Sequence, residues 1–244
     1  SHKDSMQKND IPEINLVVVN LYPFEEKLLD KQSNKEILIE NIDIGGPSML
    51  RSSAKNFKHV TVLPSIKYYN EFISIMKQNK GSINLNFRAK MANETFNETA
   101  YYDSMISNWM NQINENKFSE KKTTGGKLIS KLRYGENPHQ ESAVYEIPRI
   151  ETGFSNLKQL QGKELSHNNY LDSYSAYNLV TDFDPNHQIC AIIKHNNPCG
   201  CAIDPDKKIA YLKALSGDPV SAFGGVVAFN YEITKEVAEE LIKT

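Results

Sequence analysis

The chain has little of what marks a membrane, secreted or nucleic-acid-binding protein. No apolar run approaches the roughly 18 residues that cross a bilayer, and Ser1 to Asp10 is polar with no signal-peptide core. Cysteine is scarce: Cys190, Cys199 and Cys201 are an odd number crowded into one segment, which argues against a secreted disulfide framework and for reduced thiols. Charge of one sign is missing too. With 28 Lys and Arg against 30 Asp and Glu, the net charge of -2 leaves no global basic footprint for nucleic acid. There is no Gly-x-Gly-x-x-Gly, no Walker loop and no Gly-x-Ser-x-Gly, so nicotinamide, nucleoside-triphosphate and serine-hydrolase readings have no local support. These absences predict a cytoplasmic protein that binds neither membrane nor nucleic acid.

What is present is a chain of 244 residues, enough for one large domain or two modest ones. It begins with Ser1, and a strand-like run follows at Leu16 to Val19, which suggests a piece of a longer product. Residues 114–127 are polar, charged and punctuated by Gly125 and Gly126, and we expect a linker there. In the first half, Leu16 to Val19 and Val60 to Leu63 read as buried parallel strands, with helices over Lys35 to Ile42 and Pro47 to Phe57. Met91, Ala100, Tyr101, Met105, Ile106, Trp109 and Ile113 recur at helical spacing and predict a core-facing stripe.

Three segments carry candidate chemistry. Ile192-Ile193-Lys194-His195-Asn196-Asn197-Pro198-Cys199-Gly200 reads as a buried strand halted by a turn, which puts Lys194 and His195 at a strand's carboxyl end, where open α/β sheets keep ligands. An imidazole moves protons near neutral pH, and an adjacent ammonium stabilises developing negative charge. In Asp43-Ile44-Gly45-Gly46-Pro47, the glycines let backbone approach a ligand and the free amides of a helix start receive an anion. Asp43 and Lys55 are then expected to converge on one bound molecule, although the same pattern also reads as a capping acid and a solvated lysine. Asn20-Leu21-Tyr22-Pro23-Phe24 follows a strand directly and reads either as a site or as a strand-ending turn with aromatic packing.

Val17 to Phe24, Asn41 to Pro47 and Ala54-Lys55-Asn56 together resemble the inosine monophosphate (IMP) cyclohydrolase domain of the bifunctional purine-biosynthesis enzymes. Lys131 to Gln140, Leu160 to Asn169, Lys194 to Gly200 and Gly217 to Gly225 resemble their other half, the aminoimidazole carboxamide ribonucleotide (AICAR) transformylase. The resemblance implies an α/β fold in two parts. Residues 1–126 would form a truncated methylglyoxal-synthase-like parallel-sheet domain, and residues 127–244 the first part of a cytidine-deaminase-like transformylase domain. It implies formyl transfer from 10-formyltetrahydrofolate to AICAR, then closure of the product to IMP with loss of water, with no metal.

For formyl transfer the resemblance assigns His195 as base and Lys194 as its partner at the folate nitrogen and formyl oxygen. Arg133, Tyr134 and Asn169 hold the nucleotide, and Phe223-Gly224 lies against it. For closure it assigns Tyr22, Asp43 and Lys55 to proton transfer, with Asn20, Gly45 and Gly46 as nucleotide contacts. The family's amino-terminal phosphate loop, its Arg-x-Lys-Thr-Leu-His-Pro motif and the second half of the transformylase are absent, so the resemblance implies two incomplete sites and little or no activity from this chain alone. A homodimer is implied for the parent enzyme. Two other classes fit parts of the pattern: a non-catalytic phosphate-ligand or nucleotide-binding module, and a zinc deaminase-like hydrolase built on His139-Gln140-Glu141 and Pro198-Cys199-Gly200-Cys201.

Overall fold

The computed structural model describes residues 2–148 and 157–243. The chain divides into two compact units that change over at Gly126–Lys127. The first unit opens with α1 (His2–Lys8) and β1 (Leu16–Val18). Three helices follow, α2 (Phe24–Leu29), α3 (Lys35–Glu40) and α4 (Gly45–Lys55), then β2 (Thr61–Leu63), α5 (Tyr69–Gln78) and α6 (Leu85–Ile113). β1 and β2 pair in parallel, Val17 opposite Val62. The two strands differ in environment: β2 is buried throughout, whereas Leu16 and Val18 of β1 are 41% and 45% exposed. The expectation of two buried strands therefore holds for β2 and fails for β1, whose second edge has no neighbouring strand among the described residues.

The core of this unit is strung along α6. At about 1.5 Å per residue its 29 residues span roughly 44 Å. Its first half packs Phe87, Met91 and Ala92 against Leu50 and Ala54 of α4 and against Val62 and Leu63. Its second half packs Tyr102, Met105 and Trp109 against Phe24, Leu28 and Leu38. The seam is not quite the apolar stripe expected from the sequence. Ala100 is exposed, and the line between the two clusters runs through the fully buried Thr95 and Thr99. Those hydroxyls can be buried because each bonds back to its own helix, Thr95 Oγ1 to the Met91 carbonyl at 2.8 Å and Thr99 Oγ1 to that of Phe96 at 3.4 Å. Beyond α6, residues 114–126 contain no helix or strand. Their far end lies on α6, where Gly125 is buried and an added Cβ would collide with the Ser104 hydroxyl.

The second unit begins with an antiparallel pair, β3 (Lys127–Lys131) and β4 (Ala143–Glu146), and continues with α7 (His167–Thr181). It is completed by β5 (Ile189–Lys194), β6 (Asn197–Ile203), α8 (Lys207–Leu215), α9 (Pro219–Ala222), β7 (Val226–Phe229) and α10 (Lys235–Leu241). The sheet order is β6-β5-β7, antiparallel throughout. This corrects the open-sheet reading of Lys194 and His195. The uninterrupted apolar run of β5 reports two covered faces rather than parallel pairing: Cys190 and Ile192 pack toward Ala210, Tyr211 and Ala214 of α8, while Ile189 and Ala191 pack toward Val180 of α7.

Asn197-Pro198 does not halt the chain either, since β6 runs straight through it. Proline is tolerated there because β6 is an edge strand among the described residues and the register shifts, with Ile192 opposite Gly200 but Ile193 opposite Pro198. Gly200 itself is fixed by α8, because a Cβ at that position would run into the Ala214 carbonyl.

Candidate functional site

In the second unit, β5 and β6 join through the two residues His195 and Asn196, both in the left-handed region, with φ of 53° and 61°. Positive φ at both central positions is the signature of the two-residue hairpin turn whose twist matches its strands. Two residues of α7 hold the turn. Asp172 Oδ1 accepts the Asn196 amide at 2.8 Å, and Ser175 Oγ donates to Asn196 Oδ1 at 3.1 Å. The His195 imidazole is left exposed, with no hydrogen bond to it among the described residues. Beside it, Lys194 Nζ donates to the carbonyl of Phe223 at 2.6 Å. Phe223 itself is 70% exposed, and Gly224 takes the left-handed φ of 71° that turns the chain into β7. A Cβ on Gly225 would press on the Ile193 carbonyl at 2.9 Å, so this glycine permits the close approach of the Phe223-Gly224 turn to the end of β5.

Arg133 and Tyr134 reach the start of α7 by their backbones. The Arg133 amide donates to the Leu165 carbonyl at 3.2 Å, and the His167 amide donates to the Tyr134 carbonyl at 3.1 Å. The Arg133 guanidinium lies 4.9 Å from the centre of the Tyr134 ring. Hydrogen bonding from Ser166, and then from Arg133, holds the Tyr134 phenol below its ordinary pKa. Asn169 closes the capping box of α7: its Oδ1 accepts the Ser166 amide at 3.0 Å, and its own amide donates to the Ser166 hydroxyl at 3.3 Å. The cap engages the oxygen of Asn169 and its backbone amide.

In the first unit, Tyr22, Asp43 and the glycines meet at the start of α4. Asp43 Oδ1 accepts the Gly46 amide at 2.7 Å, and Oδ2 lies 3.4 Å from the Tyr22 amide. A Cβ on Gly46 would collide with that carboxylate, so the second glycine is what lets Asp43 fold over the helix start; nothing lies within 4 Å of the Cβ position of Gly45. Asp43 is itself held by the buried Tyr102. The Tyr102 hydroxyl accepts the Asp43 amide and donates to the Asn41 carbonyl, both at 2.8 Å. Asn20 Nδ2 donates to the Tyr69 hydroxyl at 2.9 Å. Asn20 and Tyr22, the latter 56% exposed, border a cleft of about 310 Å³ that continues past Phe24, Tyr101 and Tyr102.

Lys55 is not part of this group. α4 is continuous from Gly45 to Lys55, and a rise of about 1.5 Å per residue puts the Cα atoms of its first and last residues roughly 15 Å apart. The two side chains therefore make no direct contact: an unbroken helix carries the lysine to its opposite end, and Asp43 and Lys55 would meet only across the body of a bound molecule.

Residues 53–244 match the family profile described as "AICARFT/IMPCHase bienzyme". The chain belongs to this family. It is 48% identical over 240 residues to the bifunctional purine biosynthesis protein PurH of Aquifex aeolicus, covering 98% of this chain and 47% of that protein. It is 45% identical over 242 residues to the PurH protein of Rippkaea orientalis, again covering 98% and 47%. The chain thus spans about half the length of the curated relatives it matches. A solved structure titled "Crystal structure of ForH" aligns with 43% of the chain at 31% identity and a TM-score of 0.36, too low to carry an argument about fold.

For an AICARFT/IMPCHase chain, the fold brings together Lys194, His195, Phe223 and Gly224 at one end of the second unit's sheet. Arg133, Tyr134 and Asn169 gather at the start of α7, whose next turns hold the His195 loop. Asn20, Tyr22, Asp43, Gly45 and Gly46 gather in the first unit. The zinc alternative finds no support in this geometry: among the described residues no three His, Cys, Asp or Glu side chains are grouped as metal ligands.

Sequence reasoning missed Tyr102, Ser166, Asp172, Ser175 and Asn196. Ser166 had a readable signal, a serine three residues before Asn169 at a helix start. Tyr102 and Asp172 act through backbone groups distant in sequence, and Ser175 meets the side chain of Asn196 across 21 positions, none of which a local pattern encodes.

Proposed function

We propose that the chain carries parts of two sites of de novo purine synthesis, an AICAR transformylase site within residues 127–244 and an IMP cyclohydrolase site within residues 1–126. On this reading the two units are a deaminase-like and a methylglyoxal-synthase-like domain, working in the cytoplasm as part of a homodimeric enzyme on purine nucleotides and 10-formyltetrahydrofolate. The observation that carries the proposal is the pairing of Lys194 with the Phe223 carbonyl beside an exposed His195, in a chain of this family.

In formyl transfer, the 5-amino group of AICAR forms a bond to the formyl carbon, and the bond from that carbon to the folate N10 breaks. The amine is a poor nucleophile because its lone pair is delocalised into the imidazole, so its proton must go to a base as the bond forms. His195 is that base, and Lys194 stabilises the formyl oxygen and supplies the proton to N10. The Arg133 guanidinium suits a phosphate. In closure, the carboxamide nitrogen attacks the formyl carbon and the carbonyl oxygen leaves as water. Tyr22 and Asp43 assist the proton transfers, and the Gly45-Gly46 amides receive the nucleotide. Lys55 joins this set by its position in the family motif alone.

The test uses the protein expressed from its complete reading frame, with transfer and closure assayed separately and closure started from the formylated intermediate. His195→Ala is expected to slow transfer by about 10²- to 10⁴-fold and to leave closure unchanged. Undiminished transfer, or equal loss of both reactions, would overturn the assignment.

A further inference from the structure

The turn that carries His195 is left-handed at both positions without a glycine. Two-residue hairpin turns with positive φ at both positions are most often Asn-Gly or Asp-Gly, because a Cβ in the left-handed region meets the neighbouring carbonyl. Here both positions are left-handed and neither is glycine. Such a conformation persists only where its surroundings hold it. What holds this one comes largely from a single face of α7. Asn169, Asp172 and Ser175 follow one another at intervals of three residues and share a helix face. The first caps the helix beside Arg133-Tyr134, and the other two bond to Asn196. The remaining contact is local, from Asn197 Nδ2 to the His195 carbonyl at 2.9 Å.

We infer that Asp172 is a positioning residue for formyl transfer: its carboxylate clamps the Asn196 amide, keeps the His195–Asn196 turn left-handed, and so sets the direction of the His195 imidazole. The inference rests on the functional reading above. Releasing the turn toward extended backbone would rotate the Cα–Cβ bond of His195 and move its ring from the reacting amine without removing any group that touches substrate.

The experiment again uses the protein from its complete reading frame, with closure as the internal control for folding. Asp172→Ala is expected to lower kcat for transfer by about 10- to 100-fold, with KM for AICAR within about threefold and closure unchanged. Asp172→Asn keeps the oxygen that accepts the amide and is expected to stay within about fivefold of wild type, whereas Asp172→Glu displaces that oxygen by one methylene and falls toward the alanine variant. Asn196→Gly, added to Asp172→Ala, is expected to restore at least about tenfold of the loss, since glycine enters the left-handed region without the steric cost. A purely electrostatic or general structural role would not be rescued that way.

If Asp172→Ala retains full transfer, or if Asp172→Asn is as damaged as alanine and Asn196→Gly restores nothing, the positioning role is wrong. Loss of closure alongside transfer in Asp172→Asn would also overturn it, by marking a general structural residue. A wild-type enzyme without formyl transfer would instead overturn the functional reading, and this inference with it.

Discussion

Replacing Tyr102 by Phe removes one oxygen atom and tests how the first unit holds its candidate site. The ring is 4% exposed and packs edge-on to Phe24 at 6.1 Å, in the same cluster as Trp109. Phenylalanine keeps that packing, so no cavity is created and the whole effect falls on two hydrogen bonds. The hydroxyl accepts the Asp43 amide and donates to the Asn41 carbonyl. A buried backbone group left unpaired costs about 1–3 kcal/mol; both partners here are half-buried, so water recovers part of this, and the expected loss is about 2–3 kcal/mol in total.

Trp109 is the only tryptophan in the chain and reports this unit alone. Urea unfolding followed by its fluorescence should move the midpoint down by about 0.7–3 M, at the usual dependence of about 1–3 kcal/mol per molar for small proteins. In the protein from the complete reading frame, closure should fall while formyl transfer stays intact, because Tyr102 fixes the backbone from which Asp43 projects. A midpoint shift worth less than about 0.5 kcal/mol would refute the reasoning, since it would mean that neither hydrogen bond contributes to the fold.

The same fluorescence measures a pH effect. Burial raises Tyr102 above its ordinary pKa of 10.0, and burial together with the Glu94 hydrogen bond raises Tyr68 further. The folded chain therefore keeps protons that the unfolded chain releases near pH 10, so the stability these tyrosines contribute is level below pH 10 and is lost as pH rises past it. The urea midpoint should fall between pH 9.5 and 11, and by less in Tyr102→Phe relative to its own value at neutral pH; a midpoint that rises would contradict this. In the second unit, burial and then the neighbouring Cys201 push the Cys190 thiol up to about 12, and Cys190 is fully buried where Cys201 is exposed. In native protein at pH 8, a thiol reagent should modify Cys201 first and reach Cys190 only on unfolding; three thiols reacting at one rate would refute the packing of β5.

How far the fold was legible depended on whether local pattern or distant cover decided each element. α3, α4 and α6 were readable because apolar spacing and start signals agree, although α4 begins at Gly45, two residues before the expected Pro47, and ends at Lys55 rather than Phe57. The second unit's sheet was misread because an apolar strand looks the same whether its neighbours run parallel or antiparallel. β5 is covered by α7 on one face and α8 on the other, and that cover, not strand direction, makes it uniformly apolar. The turn after it was misread for a related reason: Asn and His tolerate left-handed φ better than most residues, but what selects it here is residues of α7, about twenty positions earlier, that bond to the turn. Thr95 and Thr99 hid the seam of α6 by satisfying their hydroxyls within the helix.

The candidate sites were legible residue by residue and not as geometry. Motif resemblance named Lys194, His195, Phe223 and Gly224, and their assembly follows from a strand end, a hairpin and a helix-to-strand turn meeting at one end of the sheet. It also named Asp43 and Lys55 together, and the fold sets one just before α4 and the other at its last residue. The ten steps of α4 from Gly45 to Lys55 cover about 15 Å, so the spacing of the motif does not by itself bring the two side chains into contact. What neither motif nor composition could reach is the support behind each site, the Tyr102 hydroxyl behind Asp43 and the Asp172 carboxylate behind His195. Both are single oxygens accepting a backbone amide, and an amide has no side-chain identity for a sequence to record. The chemistry of a site is written in its side chains, whereas its aim is written in backbone hydrogen bonds that only a folded chain displays.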